Sequence, residues 1–351
     1  MSNRTVQVLV VGAGASGSAI AAQMRASGYD TVLVRGAVQH SASAAAAGMI
    51  APVMEPLTDA VAAPHAAFLA EAVRLWPDFA KRFGVELRRN SALWLSDQAT
   101  EAAARLHPDD FQLVDLEFAR RTAPLLGPWT GPIGWAPGES SLTAALALSA
   151  LHHSFEQSGG QVVEGLARFT SAGVQVGEQV FRADHLVLAP GYDGVRLAQI
   201  APELAQLQPI RGQILKVFHP AIAAHMPVIR GQGAYLAPQT QGVAMVGASM
   251  EAGLDELTNT DEVILRLMTA ASAYAPQLAT ARIEPMVGIR AGTPDGLSLV
   301  GPSSRSGVLL AAGLRRNGWL LAPLVAQLIN AYIAGDDPGP FAGLLDPRRQ
   351  G

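Results

Sequence analysis

Apolar and polar positions along this chain follow two rhythms. Val8-Leu9-Val10-Val11 is an unbroken apolar run, the pattern of a strand buried on both faces of a parallel sheet. It leads into Gly12-Ala13-Gly14-Ala15-Ser16-Gly17, after which small and apolar residues predict a helix from Ala15 to about Ser27, ended by Gly28. Thr31–Val34 then reads as a second strand. Farther along, the patterns predict helices over Leu142–Gln157 and Asp261–Tyr274, a strand over Ala183–Ala189, and a hairpin from Val162–Ala167 and Val174–Phe181. Leu87–Leu95, Gln213–Phe218, Ala234–Pro238 and Val243–Ala248 alternate as antiparallel strands do. Near the end, a strand over Gly307–Ala312 precedes an apolar helix from Trp319 to about Ala334.

The first of these units carries chemistry. In a strand–turn–helix–strand setting, Gly12 permits the tight turn, Gly14 lets backbone approach a pyrophosphate, and Gly17 lets helix and strand pack closely. The helix tip, with the N–H groups of Ala15, Ser16 and Gly17, then faces the phosphates with its positive dipole end. The plainer alternative is a ligand-free βαβ turn.

Composition narrows the field. At 351 residues, two domains are the default. Charged residues make up 15% and apolar residues 49%, much of the excess being alanine, and the apolar runs break before the ~18–20 residues of a membrane span. The chain enters its first strand within a few residues, which leaves no room for a signal peptide, so cytoplasm is the expected address. With no cysteine, there is no disulfide, no thiolate metal site and no cofactor tethered through sulfur. A net charge of −4 without a basic stretch argues against nucleic acid as a partner. The eight histidines are scattered, and His152-His153 has no partner at metal spacing, so no metal is expected. Glu101, Asp109, Asp110 and Glu117 read as solvated charges.

Dinucleotide sites of this kind usually place an acid about 20 residues after the glycines, on the ribose. Here no acid occurs between Thr31 and Met54, and the strand ends Val34-Arg35-Gly36. Three readings stay open: Arg35 faces the 2′-phosphate of NADP, Val34 stands where the acid would be, or Arg35 is a solvated strand end. The next segment, His40–Pro52, is a run of small residues with Ser41 and Ser43 as candidate N-caps and Gly48 as a candidate C-cap. Either it is a short buried helix or it lets a flat ligand lie against backbone.

Together, Val11–Gly17, Ser41–Pro52 and the C-terminal Gly288–Gly296, Val300–Pro302 and Ala312–Pro323 resemble the FAD-dependent D-amino-acid oxidase superfamily. Within it they are most similar to the glycine oxidase group linked to thiamine biosynthesis. Arg211-Gly212-Gln213, Tyr235–Pro238 and Val246–Glu251 fit the same pattern, so the likeness covers nearly the whole chain. It implies an α/β fold with a Rossmann-like, glutathione-reductase-type FAD domain (1–80, 140–205, 285–351) interleaved with an antiparallel-sheet substrate domain (81–139, 206–284). It favours FAD over NADP. It implies a cofactor site of Gly12, Gly14, Ala15, Ser16, Gly17, Arg35, Ser41, Ser43, Gly48, Met49, Gly191, Arg290, Gly313, Arg316, Asn317, Gly318 and Trp319, with His40 a candidate tether. Tyr235, Arg290 and Arg316 are the implied catalytic residues, and Arg290 would hold a substrate carboxylate; its alternative is an ion pair with Asp295 or Glu284.

The implied activity is oxidation of a small amine or α-amino acid by hydride transfer to the flavin, followed by hydrolysis of the imine. Val34, Met286, Ala291 and Leu314 depart from the family pattern and point to a different pocket or electron acceptor. An NADP-dependent dehydrogenase and a non-catalytic flavin-binding subunit are the rival readings, and homo-oligomerisation stays open.

Overall fold

The computed structural model describes residues 2–36, 41–62 and 65–349, so His40 lies outside the described residues. Its first large sheet has the main order 299–302, 308–312, 179–188, 2–11, 31–35, 161–164, parallel except at its 299–302 edge, and 173–176 and 168–170 add an antiparallel extension on 179–188. The strand Ser2–Val11 lies in the middle, and successive side chains enter different cores. Val8 and Val10 pack with Ile20, Met24, Phe155 and Ile329, while Leu9 and Val11 pack with Val32, Val34, Phe181 and Leu310. Two buried faces explain the uninterrupted apolar run. On one face lie the helices Ala15–Ala26, Ala144–Gln157 and Ala322–Ala334. His152 meets Ser18 Oγ there at 2.9 Å, so it serves helix packing.

The second large sheet has nine strands. From one edge it runs 282–292, 208–218, 243–247, 235–240, 228–230, 92–95, 133–136 and 112–114, with 251–252 beside 208–218. Helix Asp261–Tyr274 covers its outer face through Leu267, Ala271 and Tyr274, which pack on Leu215, Val217, Leu236 and Val246. The inner face carries Ile214, Ala237 and Met245 toward Ala45, Ala47 and Met54. The strand Arg282–Gly292 pairs with Gln208–Phe218 over its full length, so the expected division at 285 falls inside one strand.

Other differences have local causes. Residues 162–167 form no hairpin with 174–181: Gln161–Glu164 joins the first sheet in parallel beside Thr31–Arg35, and the hairpins are built from 168–170, 173–176 and 179–188. The alanine run is helical only over Ala42–Ala45, capped by Ser41, and turns extended at Ala46 before Gly48. The last long helix starts at Ala322, not Trp319, because Pro323 suits a first helical turn and has no N–H for an interior one. Asn317–Leu321 forms a turn before it. Among the described residues no helix is long and apolar enough to cross a membrane.

Candidate active site

Between the two sheets lies a cavity of about 290 Å³. The second sheet supplies its floor through one cross-strand row. Ile214, Gly247, Tyr235, Arg230 and Trp94 are register partners in sequence across five strands, so they share a face, and all five line the cavity. Gly212 and Gly288 pair directly beside that row, and Arg290 stands two residues along from Gly288. Two glycines in the floor are required by what lies over them. A Cβ on Gly212 would meet the Arg290 guanidinium at 2.2 Å, and one on Gly247 would meet the Tyr235 hydroxyl at 2.8 Å.

Opposite walls come from the small-residue segment and the turn before the last long helix. Ser43, Gly48 and Met49 line one side, and Arg315, Arg316, Asn317, Gly318 and Trp319 the other. Ser43 ties three remote segments together. Its hydroxyl accepts from the Ala15 amide at 2.9 Å, and its carbonyl accepts from Trp319 Nε1 at 3.0 Å. Gly12, Gly14, Ser16 and Gly17 sit behind this junction and do not line the cavity. A Cβ on Gly17 would stand 1.8 Å from the Gly12 carbonyl, so helix and turn touch there. The first helix has no side-chain cap at Gly14 and no acid in its first turn, which keeps that end electropositive.

Of the remaining expected residues, Ser41 caps the short helix, Gly191 follows the strand that ends near Gly12, and Gly313 lies against Thr293. Arg35 ends its strand beside Glu164 and pairs with it, outside the cavity.

Arg290 is the unbalanced charge of the floor. Its Nη1 donates to the Ser249 carbonyl at 3.2 Å and approaches Met250 Sδ at 3.4 Å, and among the described residues no carboxylate lies within ion-pair distance. Neither expected alternative partner is used: Asp295 pairs with Arg349 and Glu284 with Arg282. Burial, and after it the like charge of Arg316, pull the Arg290 pKa below its ordinary value, so an anion beside it would be welcome. Burial pushes the Tyr235 hydroxyl pKa up and keeps it a neutral donor.

At the far wall is a charge cluster that reading the sequence alone missed. Glu55 and Asp59 are buried, as is Arg230. Glu55 holds Arg230 at 3.1 Å and Arg316 at 2.9 Å, while Asp59 pairs with Arg315 and stands 3.6 Å from Arg316. Burial alone would lower the Arg316 pKa, but Glu55 and Asp59 outweigh it and raise it. Arg315 reaches Asp59 from a left-handed backbone, φ +50°, pinned by its amide on the Ala291 carbonyl at 2.8 Å. Beneath the cluster, Glu139 accepts from the Val53 and Met54 amides at 3.0 Å each and so fixes the turn that presents Glu55. Burial raises its pKa to about 7 against the pull of Arg230 and these amides. The available signal was Glu55, the first acid after the second strand, three residues beyond Pro52.

A parallel sheet with a glycine turn, tied by Ser43 to a cavity floored by an antiparallel sheet, is the framework of a flavin-dependent oxidoreductase. Residues 7–332 match the DAO family, FAD dependent oxidoreductases, and the chain belongs to that family. It is 31% identical over 368 residues to the bifunctional protein ThiO/ThiG of Synechocystis sp., covering 98% of this chain and 54% of that protein. The chain thus spans about half the length of the curated relatives first matched. It is 29% identical over 368 residues to the glycine oxidase of Pseudomonas putida, covering 96% of this chain and 98% of the relative. Its fold matches the crystal structure of glycine oxidase from Geobacillus kaustophilus with a TM-score of 0.83 at 22% identity, covering 99% of each chain. FAD, not NADP, is therefore the cofactor. The protein fits it: an electropositive helix tip, a wall of small residues and a glycine-floored cavity suit a diphosphate joined to a flat ring.

Proposed function

We propose that this protein oxidises a small amine or α-amino acid of the glycine, sarcosine or D-amino-acid class, using FAD. The observation that carries this reading is Arg290, a half-buried guanidinium in the cavity floor with no carboxylate of its own among the described residues. A planar fork of donors in that position suits a substrate carboxylate. The Tyr235 hydroxyl, over the neighbouring glycine, makes no hydrogen bond within the protein among the described residues and is available to the same substrate. Gly12–Gly17 would hold the diphosphate; Ser43, Gly48, Met49 and the Arg316–Trp319 turn would hold the ring.

Bound FAD supplies the two-electron acceptor. The residues of the chain supply position and charge. Arg290 fixes the carboxylate, so the Cα–H bond of the substrate is presented in one orientation. Loss of a hydride from carbon and a proton from nitrogen leaves an imine, which water converts to an oxo acid and ammonia or a free amine.

The test is anaerobic bleaching of the flavin band of the purified holoprotein by glycine, sarcosine, D-alanine and D-proline. At least one is expected to bleach it. A flavin that none of them, nor any other amine, reduces would favour a non-catalytic flavin-binding subunit. Arg290→Ala is expected to weaken carboxylate-bearing substrates by about 2–5 kcal/mol in kcat/KM, the scale for removing one side of a buried charge pair. Unchanged kcat/KM in that variant would remove Arg290 as the anchor.

A further inference from the structure

The charge balance of the cavity is incomplete at two separate places. At one end of the floor, Arg290 has no carboxylate among the described residues. At the other end, Arg230, Arg315 and Arg316 share two carboxylates, Glu55 and Asp59, among the described residues. Glu55 is shared by two of them: Oε1 accepts from Arg230 at 3.1 Å and from Arg316 at 3.2 Å, while Oε2 stands 2.9 Å from Arg316 Nε without a hydrogen bond among the described residues. Glu139, the remaining acid close by, spends Oε1 on two backbone amides and forms no ion pair among the described residues. Arg230 also has a buried Nε with no acceptor among the described residues. A buried guanidinium left without a full counter-charge is costly unless a ligand supplies one.

Both places line the same cavity. Arg290 and Arg230 are rooted four strands apart, roughly 19 Å at ~4.8 Å per strand, and staggered along the strands, since Arg290 pairs with Ile210 and Arg230 lies on the row of Ile214; their long side chains close part of that distance. The Arg290 guanidinium already lies over Gly212, one strand toward Arg230, and the Tyr235 hydroxyl lies over Gly247. An oxidised flavin ring is neutral and the diphosphate belongs at the glycine turn, so neither answers the far charge. We propose that the preferred substrate is an amine with two acidic groups, one carboxylate on Arg290 and the second at the Arg230–Glu55–Arg316 cluster. Iminodiacetate-like secondary amines and acidic D-amino acids have that chemistry. Arg230 is then a specificity residue. The assignment rests on the amine-oxidation reading for its substrate, but not for its charge pattern.

The experiment has two independent arms on the FAD-loaded protein. In the first, iminodiacetate, D-aspartate and D-glutamate are compared with sarcosine, glycine and D-alanine by kcat/KM. The diacids are expected to lead, and Arg230→Met to lower the ratio of best diacid to best monoacid by about 30-fold or more, with partial recovery in Arg230→Lys. In the second, unreactive succinate and glutarate are compared with propionate and butyrate by thermal shift at fixed ionic strength, in wild-type protein only. Dianions are expected to bind about tenfold tighter or better, as a second charge contact requires. A preference for monoacids in both arms overturns the second-acid assignment and leaves amine oxidation standing. Failure of every amine to reduce the flavin overturns the reading beneath it, and the dianion comparison still decides the charge assignment.

Discussion

Around Gly12–Gly17, contacts are made almost entirely by backbone. The Gly12 carbonyl lies against Gly17, the Ala189 carbonyl against Gly12, and the Ala15 amide meets a serine hydroxyl. Across the cavity, around Glu55, side chains do the same work: Arg230, Arg315, Arg316, Asp59 and Thr58 reach in from three remote stretches of chain and interlock. Backbone packing tolerates no added atom but is indifferent to charge. The ionic wall tolerates shape changes at its rim, yet every lost partner leaves a charge in low dielectric. The two halves should therefore fail in different ways.

Alanine at two glycines separates packing from cofactor approach and is the harshest test. At Gly17 the added carbon would lie 1.8 Å from a backbone carbonyl, and backbone cannot rotate away. Gly17→Ala is expected to lose about 3 kcal/mol or more of stability, measured by urea unfolding. At Gly14 the collision is with Ser43 Oγ at 2.9 Å, a side-chain atom that can turn aside. Gly14→Ala should unfold near the wild-type midpoint but bind FAD about 30-fold more weakly, a loss of about 2 kcal/mol, by equilibrium titration of the apoprotein. If Gly14→Ala retains full FAD affinity, close backbone approach is not what binds the diphosphate.

The same division decides what could be read from the sequence. The strand–turn–helix–strand was legible almost to the residue, because its cause is local: an apolar run, three glycines at fixed spacing, and Gly28 after the helix. The helix Asp261–Tyr274 was legible for the same reason, with acids in its first turn and apolar residues at helical spacing. The charged wall was not. Glu55 and Arg230 are 175 residues apart, and nothing near either one announces the other. Tyr235 and Arg290 were picked out through family likeness, and Arg230, which shares a cross-strand row with Tyr235, was missed because register is not written locally. Strands 112–114 and 133–136 are short and irregular in pattern, and only pairing, of 133–136 with 92–95 and of 112–114 with 133–136, makes them strands. The expected hairpin at 162–167 failed because its alternation also suits an edge strand in parallel pairing.

Glu139 tests the ionic wall from below. A carboxyl whose folded pKa is lifted from 4.5 to about 7 holds its proton more tightly when folded. Between those values the native state binds more protons than the unfolded chain, so stability falls as pH rises through that window. Below pH 4.5 the penalty is absent, and above pH 7 it is complete, at about 3 kcal/mol. Glu139→Gln keeps an oxygen for the Val53 and Met54 amides but does not titrate. Relative to wild type it is expected to gain up to that amount between pH 4.5 and pH 7.5, measured by denaturant unfolding at each pH. A difference that does not change with pH would mean that Glu139 is ionised throughout and is a true counter-ion of Arg230, which would also reduce the surplus charge of the wall.

Arg35 gives the smallest expected effect and bears on the other half. Its guanidinium pairs with Glu164, whose side chain is 72% exposed, and exposed pairs contribute about 0–1 kcal/mol. If the cofactor side is built from backbone, Arg35→Met should cost less than about 1 kcal/mol in unfolding and, on the same scale, shift the FAD dissociation constant by less than about fivefold. Raising the salt concentration should shrink even that, since the pair is open to solvent. A much larger loss of FAD affinity, with unfolding unchanged, would mean that an arginine has taken over near the ribose, one residue from Val34 where the usual acid is missing. The backbone-built half would then contain one indispensable side chain, and the contrast between the two walls would narrow to the glycine turn alone.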